Sequence, residues 1–320
     1  MEYNGQVFQL KIDNEKLKIS RNQKSEVMIM LTKEQFHAMA AERPLFLDGA
    51  TGSNLQKAGM PKGCCTEEWV LAHPQPLMDL QRAYAAAGSD IIYAPTFQAQ
   101  PIALERVGLA DQCEAVNAKL VALSKEAAPG CLIAGDLTTL AVYCDSWDEG
   151  NFDLLVENYR RQICGLLEGG ADLLAAETLM YPTEAEAILT AAELEGASCV
   201  LYTFTMQPDG SLFSGRDVGP VLKELEESGA AAVGFNCVAA DMMTPGLISK
   251  LRRYVKGPLV CKPNAGVPVI GADGIPVYPQ TPAEFAEIVK ACHGNGAGIL
   301  GGCCGTAPEF IAAVKQALTR

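Results

Sequence analysis

Eight short apolar runs recur along this chain, each ending in a polar or glycine-rich loop and most followed by a longer amphipathic stretch. They lie at 45–47, 90–93, 131–134, 172–175, 199–202, 231–234, 258–261 and 298–300. Continuous runs this short fit strands buried on both faces, the condition of a parallel sheet covered by helices. The intervening stretches look helical, as at 77–87, 152–168, 184–195 and 218–227. Ala-Gly-Ser-Asp, Gly-Gly-Ala-Asp, Ser-Gly-Ala-Ala and Asn-Gly-Ala-Gly precede several runs, and their glycines suit helix C-caps that turn the chain into the next strand. Strands alternating with helices in this way over about 250 residues predict a (β/α)8 barrel. A doubly wound open sheet is the competing arrangement. A Gly-x-Gly-x-x-Gly after an early strand would favour it, and the sequence has none.

The barrel is expected over 44–320, behind an N-terminal extension at 1–43. Within the extension, 7–12 and 16–19 alternate around Asp13-Asn14-Glu15 as a hairpin would. Thr32 and Gln35 read as the capping box of a helix reaching Ala41.

Of the 320 residues, 49% are apolar and 20% charged, which places the chain among soluble globular proteins. No apolar run reaches the roughly 18 residues of a membrane helix. Met1 to Gly5 lack the basic-then-apolar layout of a secretory signal, so a cytoplasmic location is expected. A net charge of −13 argues against a nucleic-acid surface and for small-molecule or protein partners. The 12 cysteines are then expected as reduced thiols, some of them metal ligands. Cys131, Cys164 and Cys199 fall in apolar or helix-like segments and read as small core residues.

In a barrel of this kind chemistry gathers at the C-terminal ends of the strands. The residues expected there are Asp48 after the first run, Asp136 after the third and Glu177 after the fourth. Asn236 and Cys237 follow the sixth, and Cys303 and Cys304 the eighth. Strands six and eight are separated by a single strand, so their ends lie roughly 10 Å apart, a gap that side chains and loops can close. Three cysteine sulfurs on zinc leave one tetrahedral position open, the mark of a catalytic site, and thiolates favour zinc among abundant divalent metals. Other cysteines fit this pattern less well. Cys64-Cys65 has no apolar run before it, Cys292-His293 ends a helix where His293 suits the helix dipole, and Cys261 reads as core. Asp48 and Glu177 either brace loops or recognise a substrate ammonium. Paired carboxylates also serve glycosidases, a chemistry to which a thiolate–zinc centre is foreign.

Several motifs together resemble the homocysteine S-methyltransferase family, which includes the homocysteine-binding domain of cobalamin-dependent methionine synthase. They are Leu47-Asp48-Gly49-Ala50-Thr51-Gly52, Thr96-Phe97, Glu177-Thr178, Gly234-Phe235-Asn236-Cys237, Pro263-Asn264-Ala265-Gly266 and Gly301-Gly302-Cys303-Cys304-Gly305-Thr306. The resemblance implies a (β/α)8 barrel whose Cys237, Cys303 and Cys304 hold Zn2+, with homocysteine thiolate as fourth ligand. It implies that Asp48 and Glu177 hold the homocysteine amino group, and that Ala50, Thr51 and Asn236 also line the substrate. The stretch from Lys262 to Pro268 is similar to the methionine synthase branch, where the donor is methylcobalamin. Since the chain lacks an Asp-x-His-x-x-Gly cobalamin motif, a corrinoid is expected on a separate protein. The alternatives are an S-methylmethionine or betaine donor, or a non-catalytic zinc-binding partner of a corrinoid protein. Two stretches depart from the methionine synthase pattern. Asp136-Leu137-Thr138-Thr139 stands where Asp-Ile-Gly-Pro is usual, and Ala94-Pro95-Thr96-Phe97 where Thr-Asn-Thr-Phe is usual. Both sit at the expected mouth, where a different donor or thiol acceptor would register.

Overall fold

Each apolar run becomes a parallel strand in the computed structural model, which describes residues 30–243, 245–271 and 276–319. The strands are β1 (Leu45–Phe46), β2 (Ile91–Tyr93), β3 (Leu132–Thr138), β4 (Leu173–Leu179), β5 (Val200–Phe204), β6 (Ala232–Ala239), β7 (Leu259–Asn264) and β8 (Ile299–Leu300). Their spatial order is β1-β8-β7-β6-β5-β4-β3-β2, and a parallel bridge between Leu47 and Ile91 joins the two edges. Helices flank the strands, so the expected (β/α)8 barrel is the fold. The helices Phe152–Glu168 and Val218–Glu227 match expectation, while two others start earlier than expected, at Pro74 and Pro182. Proline suits a first helical turn, where its missing N–H would have no partner anyway. Gly88 (φ 101°) and Gly296 (φ 114°) turn helix ends towards the next strand, in a conformation that costs other residues more.

The helix Lys33–Glu42 carries the expected capping box, with Thr32 and Gln35 bonding reciprocally. It packs against the barrel: Leu31 N–H donates to the Asp172 carbonyl at 2.9 Å, and Phe36 joins the interior apolar cluster. The hairpin expected at 7–19 lies outside the described residues.

Side chains of a strand alternate between faces. Ala134, Leu173, Ala175, Leu201, Ala232, Val260 and Ile299 share one buried cluster, which identifies the inward-facing set. A larger cluster, with Ile133, Leu174, Val200, Val233, Leu259 and Leu300, fills the space between strands and helices. Strands β3 to β7 run past the ends of their apolar runs. Asp136, Glu177, Asn236 and Cys237, expected beyond strand ends, therefore lie within the strands. The apolar run stops where the inward face turns polar, whereas the backbone ladder continues.

Candidate metal centre

Continuing the inward set upward gives the mouth of the barrel. Two residues beyond Ala134, Ala175, Leu201, Gly234 and Val260 come Asp136, Glu177, Thr203, Asn236 and Lys262, all buried. Past β8, Cys303 lies two residues beyond Gly301 and is also buried. By the same alternation Cys237 belongs to the outward face. Its backbone instead takes φ 54°, where the β6–β7 register shifts between Asn236 and Ala239. Thr178 on β4 does the same with φ 60°, within a register shift between Ala176 and Leu179. Each such residue costs on the order of 1–3 kcal/mol and persists only where its surroundings hold it.

Asn236 bonds directly to one of these irregularities and adjoins the other. Its Oδ1 accepts from Thr178 N–H at 2.7 Å and from the Thr203 hydroxyl at 3.0 Å. Its Nδ2 donates to Thr178 Oγ1 at 2.8 Å and to Glu177 Oε2 at 3.3 Å. Replacing Asn236 with alanine is expected to cost about 2–3 kcal/mol, because buried donors and acceptors lose their partner. Denaturant titration measures this, and a loss under about 0.5 kcal/mol would show that Asn236 does not hold the two bulges.

The sulfurs of Cys237, Cys303 and Cys304 all lie within 4.8 Å of one another, with Cys237 and Cys304 at 3.8 Å. Zinc–sulfur bonds of about 2.3 Å in a tetrahedron put sulfurs about 3.8 Å apart, so the thiols fit a zinc ion. Among the described residues no other cluster of three His, Cys, Asp or Glu ligand atoms converges this way. Hydrogen bonds from the two thiol neighbours, Cys237 and then Cys303, pull the Cys304 thiol below its ordinary range. Cys237 is raised by its contacts with Cys303 and Cys304.

The Pro263–Gly266 stretch, noted in the sequence only for its resemblance, braces the cysteine pair. Cys303 N–H donates to the Pro263 carbonyl at 2.7 Å, Cys304 N–H to Asn264 Oδ1 at 3.0 Å, and Ala265 N–H to the Cys304 carbonyl at 3.0 Å. Thr306 Oγ1 donates to the Cys303 carbonyl at 2.7 Å and accepts from Ala50 N–H at 3.2 Å. Ala50 is thereby tied into the loop bracing, and Thr51 beside it is half-buried. Gly305 has φ 81°, and a Cβ there would run into the Tyr278 ring.

The remaining cysteines have other surroundings. Cys65 Sγ contacts Glu67 Oε2 at 3.2 Å and Cys64 Sγ the Pro61 carbonyl at 3.1 Å. Cys261 and Cys292 lie in the outer core. Cys199 is buried as expected, while Cys131 and Cys164 are only half-buried. His293 Nδ1 lies 2.7 Å from the Ala297 carbonyl.

Lys262 is the functional-looking residue that sequence reasoning missed. Its ammonium is 2.8 Å from Glu177 Oε2, with the two side chains only 4% and 8% exposed, and it lies 4.6 Å from the Tyr93 ring centre. Burial works to lower the Lys262 pKa, but Glu177, Cys303 and Asp48 outweigh it and hold the ammonium charged. Asp48 accepts from Tyr93 N–H at 2.8 Å. Burial pushes its carboxyl up to about 7 against the opposing pull of Lys262. Burial and then Glu177 push Asp136 well above the ordinary carboxylate range. The signal for Lys262 was its position two residues after inward Val260, but the apolar run had ended at Cys261.

The structure thus combines a (β/α)8 barrel with three convergent thiols and buried carboxyls at its mouth. The model of the homocysteine S-methyltransferase family matches residues 45–318, and the chain belongs to that family. It is 26% identical over 304 residues to methionine synthase of Mycobacterium leprae, covering 88% of this chain and 25% of that protein. Methionine synthase of Mycobacterium tuberculosis is 26% identical over 297 residues, with 87% and 25% covered. The chain thus spans about a quarter of the length of these relatives. The crystal structure of the homocysteine methyltransferase MmuM from Escherichia coli is similar in its metallated form, at 25% identity and TM-score 0.75, covering 88% of this chain and 99% of that one. Its oxidized form gives 26% identity and TM-score 0.73, with 85% and 95% covered.

Proposed function

We propose that this protein transfers a methyl group to a thiol, converting homocysteine to methionine, with Cys237, Cys303 and Cys304 holding Zn2+. The convergence of the three sulfurs at a separation suited to zinc carries this reading. Cys237, Cys303 and Cys304 would hold the ion, which would supply a lowered pKa to a coordinated thiol, ordinarily about 8.5, so that it would be a thiolate at neutral pH. In this reading no general base is required, which suits a chain with only 3 histidines. In this reading Asp48 and Glu177 supply negative charge for the substrate amino group, and Ala50, Thr51 and Asn236 shape the remainder. The family model and the resemblance to MmuM support the thiol acceptor.

The methyl donor is proposed to be methylcobalamin on a separate corrinoid protein. One surface feature supports a macromolecular donor over a small free one. Trp147 and Val142 after β3, Phe213 after β5, and Val267, Val269, Ile270 and Val277 after β7 are all exposed. They lie on the loops at the strand-end face, where Val269–Ile270 and Pro276–Val277 pair as an antiparallel ribbon. Exposed apolar groups gathered on one face mark an interaction site.

Zinc-loaded protein assayed with homocysteine and each donor tests the proposal. Methionine formation is expected with a methylcobalamin-loaded corrinoid protein. Turnover with free S-methylmethionine or betaine alone refutes the donor assignment. Failure with every donor, while zinc stays bound, points instead to a non-catalytic binding partner. No helix among the described residues is long and apolar enough to cross a membrane.

A further inference from the structure

Tyr278 directly follows the ribbon in which Val269–Ile270 pairs with Pro276–Val277. Its side chain lies on the main chain of Gly305, where a Cβ would collide with Cβ, Cγ and Cδ2 of the tyrosine. Two residues on, Gln280 N–H donates to the Ala265 carbonyl at 3.2 Å, and Ala265 N–H donates to the Cys304 carbonyl at 3.0 Å. Ribbon pairing before Tyr278 and the bond to Ala265 after it therefore hold the tyrosine against the cysteine pair.

The Tyr278 hydroxyl hydrogen-bonds the Cys304 thiol, and its phenol also interacts electrostatically with Cys237 and Cys303. Each member of the cysteine pair thus has a hydrogen-bonding side chain from outside the cluster. Asn236 Nδ2 lies 3.8 Å from Cys303 Sγ, and Tyr278 serves Cys304. Three thiolates carry more negative charge than one Zn2+ cancels, and a thiol substrate adds to it. A donor on a ligand sulfur spreads that charge and fixes the direction of the sulfur. A tyrosine hydroxyl keeps its proton at neutral pH, so it can donate there.

We propose that Tyr278 is a positioning residue of the metal centre, whose hydroxyl donates to the Cys304 sulfur, fixes its direction and draws off part of its charge. The inference rests on the reading that Cys237, Cys303 and Cys304 hold Zn2+. It adds a donor outside the ligand set, and it gives the inner end of the ribbon a chemical role beside the exposed Val269, Ile270 and Val277.

Tyr278→Phe tests this, because phenylalanine keeps the ring on Gly305 and removes only the hydroxyl. Zinc affinity, measured by competition with a chromophoric chelator, is expected to fall about 10-fold, the lower end of the range for an outer-shell partner. In the Co2+-loaded protein the thiolate-to-metal charge-transfer band is expected to move to longer wavelength, since a sulfur without a donor holds its electrons less tightly. Wild-type affinity and band position in Tyr278→Phe overturn the assignment. A fall in affinity with an unmoved band also overturns it, because Tyr278 then acts by packing alone. Failure of the wild type to bind either Zn2+ or Co2+ overturns the metal reading and this inference with it. A crystal structure of the zinc-loaded wild type gives a second measure that does not depend on the variant folding. A Tyr278 hydroxyl bonded to Cys304 Sγ supports the proposal, and one turned to solvent overturns it.

Discussion

Replacing Cys303 with alanine is expected to abolish stoichiometric zinc in the purified protein, and Cys237→Ala and Cys304→Ala are expected to do the same. Each removes one of three sulfurs that lie within 4.8 Å of one another. Outer-shell partners of metal ligands are already worth about 10- to 100-fold in affinity, so loss of a direct ligand should exceed that. Cys64→Ala is the control, because its thiol contacts the Pro61 carbonyl away from the cluster. Metal analysis after dialysis against a weak chelator gives the readout. Equal zinc loss in Cys64→Ala, or full retention in any of the other three, would show that the ligand set is wrong. Structural collapse is a separate outcome that circular dichroism detects. The cysteine pair lies on a loop held by main-chain bonds to Pro263 and Ala265, so the fold should survive removal of one sulfur.

Lys262→Met is expected to be the most destabilising single change at the mouth. Breaking a buried ion pair by removing one partner costs about 3–5 kcal/mol, because it leaves an uncompensated charge. For a domain of this size that corresponds to a fall of very roughly 6–20 °C in Tm. The cost should depend on pH. Burial already raises the Glu177 pKa against the opposing pull of Lys262, and without Lys262 it should rise further. In the unfolded chain Glu177 ionises near pH 4.3. A group whose folded pKa lies above its unfolded value favours the folded state less as pH rises between the two. The variant should therefore lose little near pH 4.5 and more at pH 8. Adding Glu177→Gln should restore much of the loss, since glutamine keeps an acceptor for Asn236 without the charge. Thermal melts of the single and double variants at both pH values check this. A loss independent of pH, or no recovery in the double variant, would mean that packing and not charge makes Lys262 important.

The sequence displayed much of this architecture. Eight apolar runs fixed the number of strands, and the runs at 231–234 and 298–300 led directly to Cys237 and to Cys303-Cys304. Strand length was not legible, because an apolar run records where the barrel interior is dry and not where the hydrogen-bonded ladder ends. For that reason Asp136, Glu177 and Asn236 were expected on loops although they lie on strands. Lys262 was hidden by the same effect, one residue past the run that ends at Cys261.

By itself the sequence determined the eight-fold alternation of the barrel and the placing of three cysteines just after the sixth and eighth apolar runs, since both follow from local periodicity and chain order. Only the tertiary structure decided how those residues face one another. Alternation alone would turn Cys237 away from the mouth, and its left-handed backbone at φ 54° brings the sulfur to within 3.8 Å of Cys304. Alternation likewise puts Lys262 inward, but nothing local says that its charge is spent on Glu177. Pairings of this kind depend on strands far apart in sequence and on burial that strengthens each charge, and neither is written in a local run of residues.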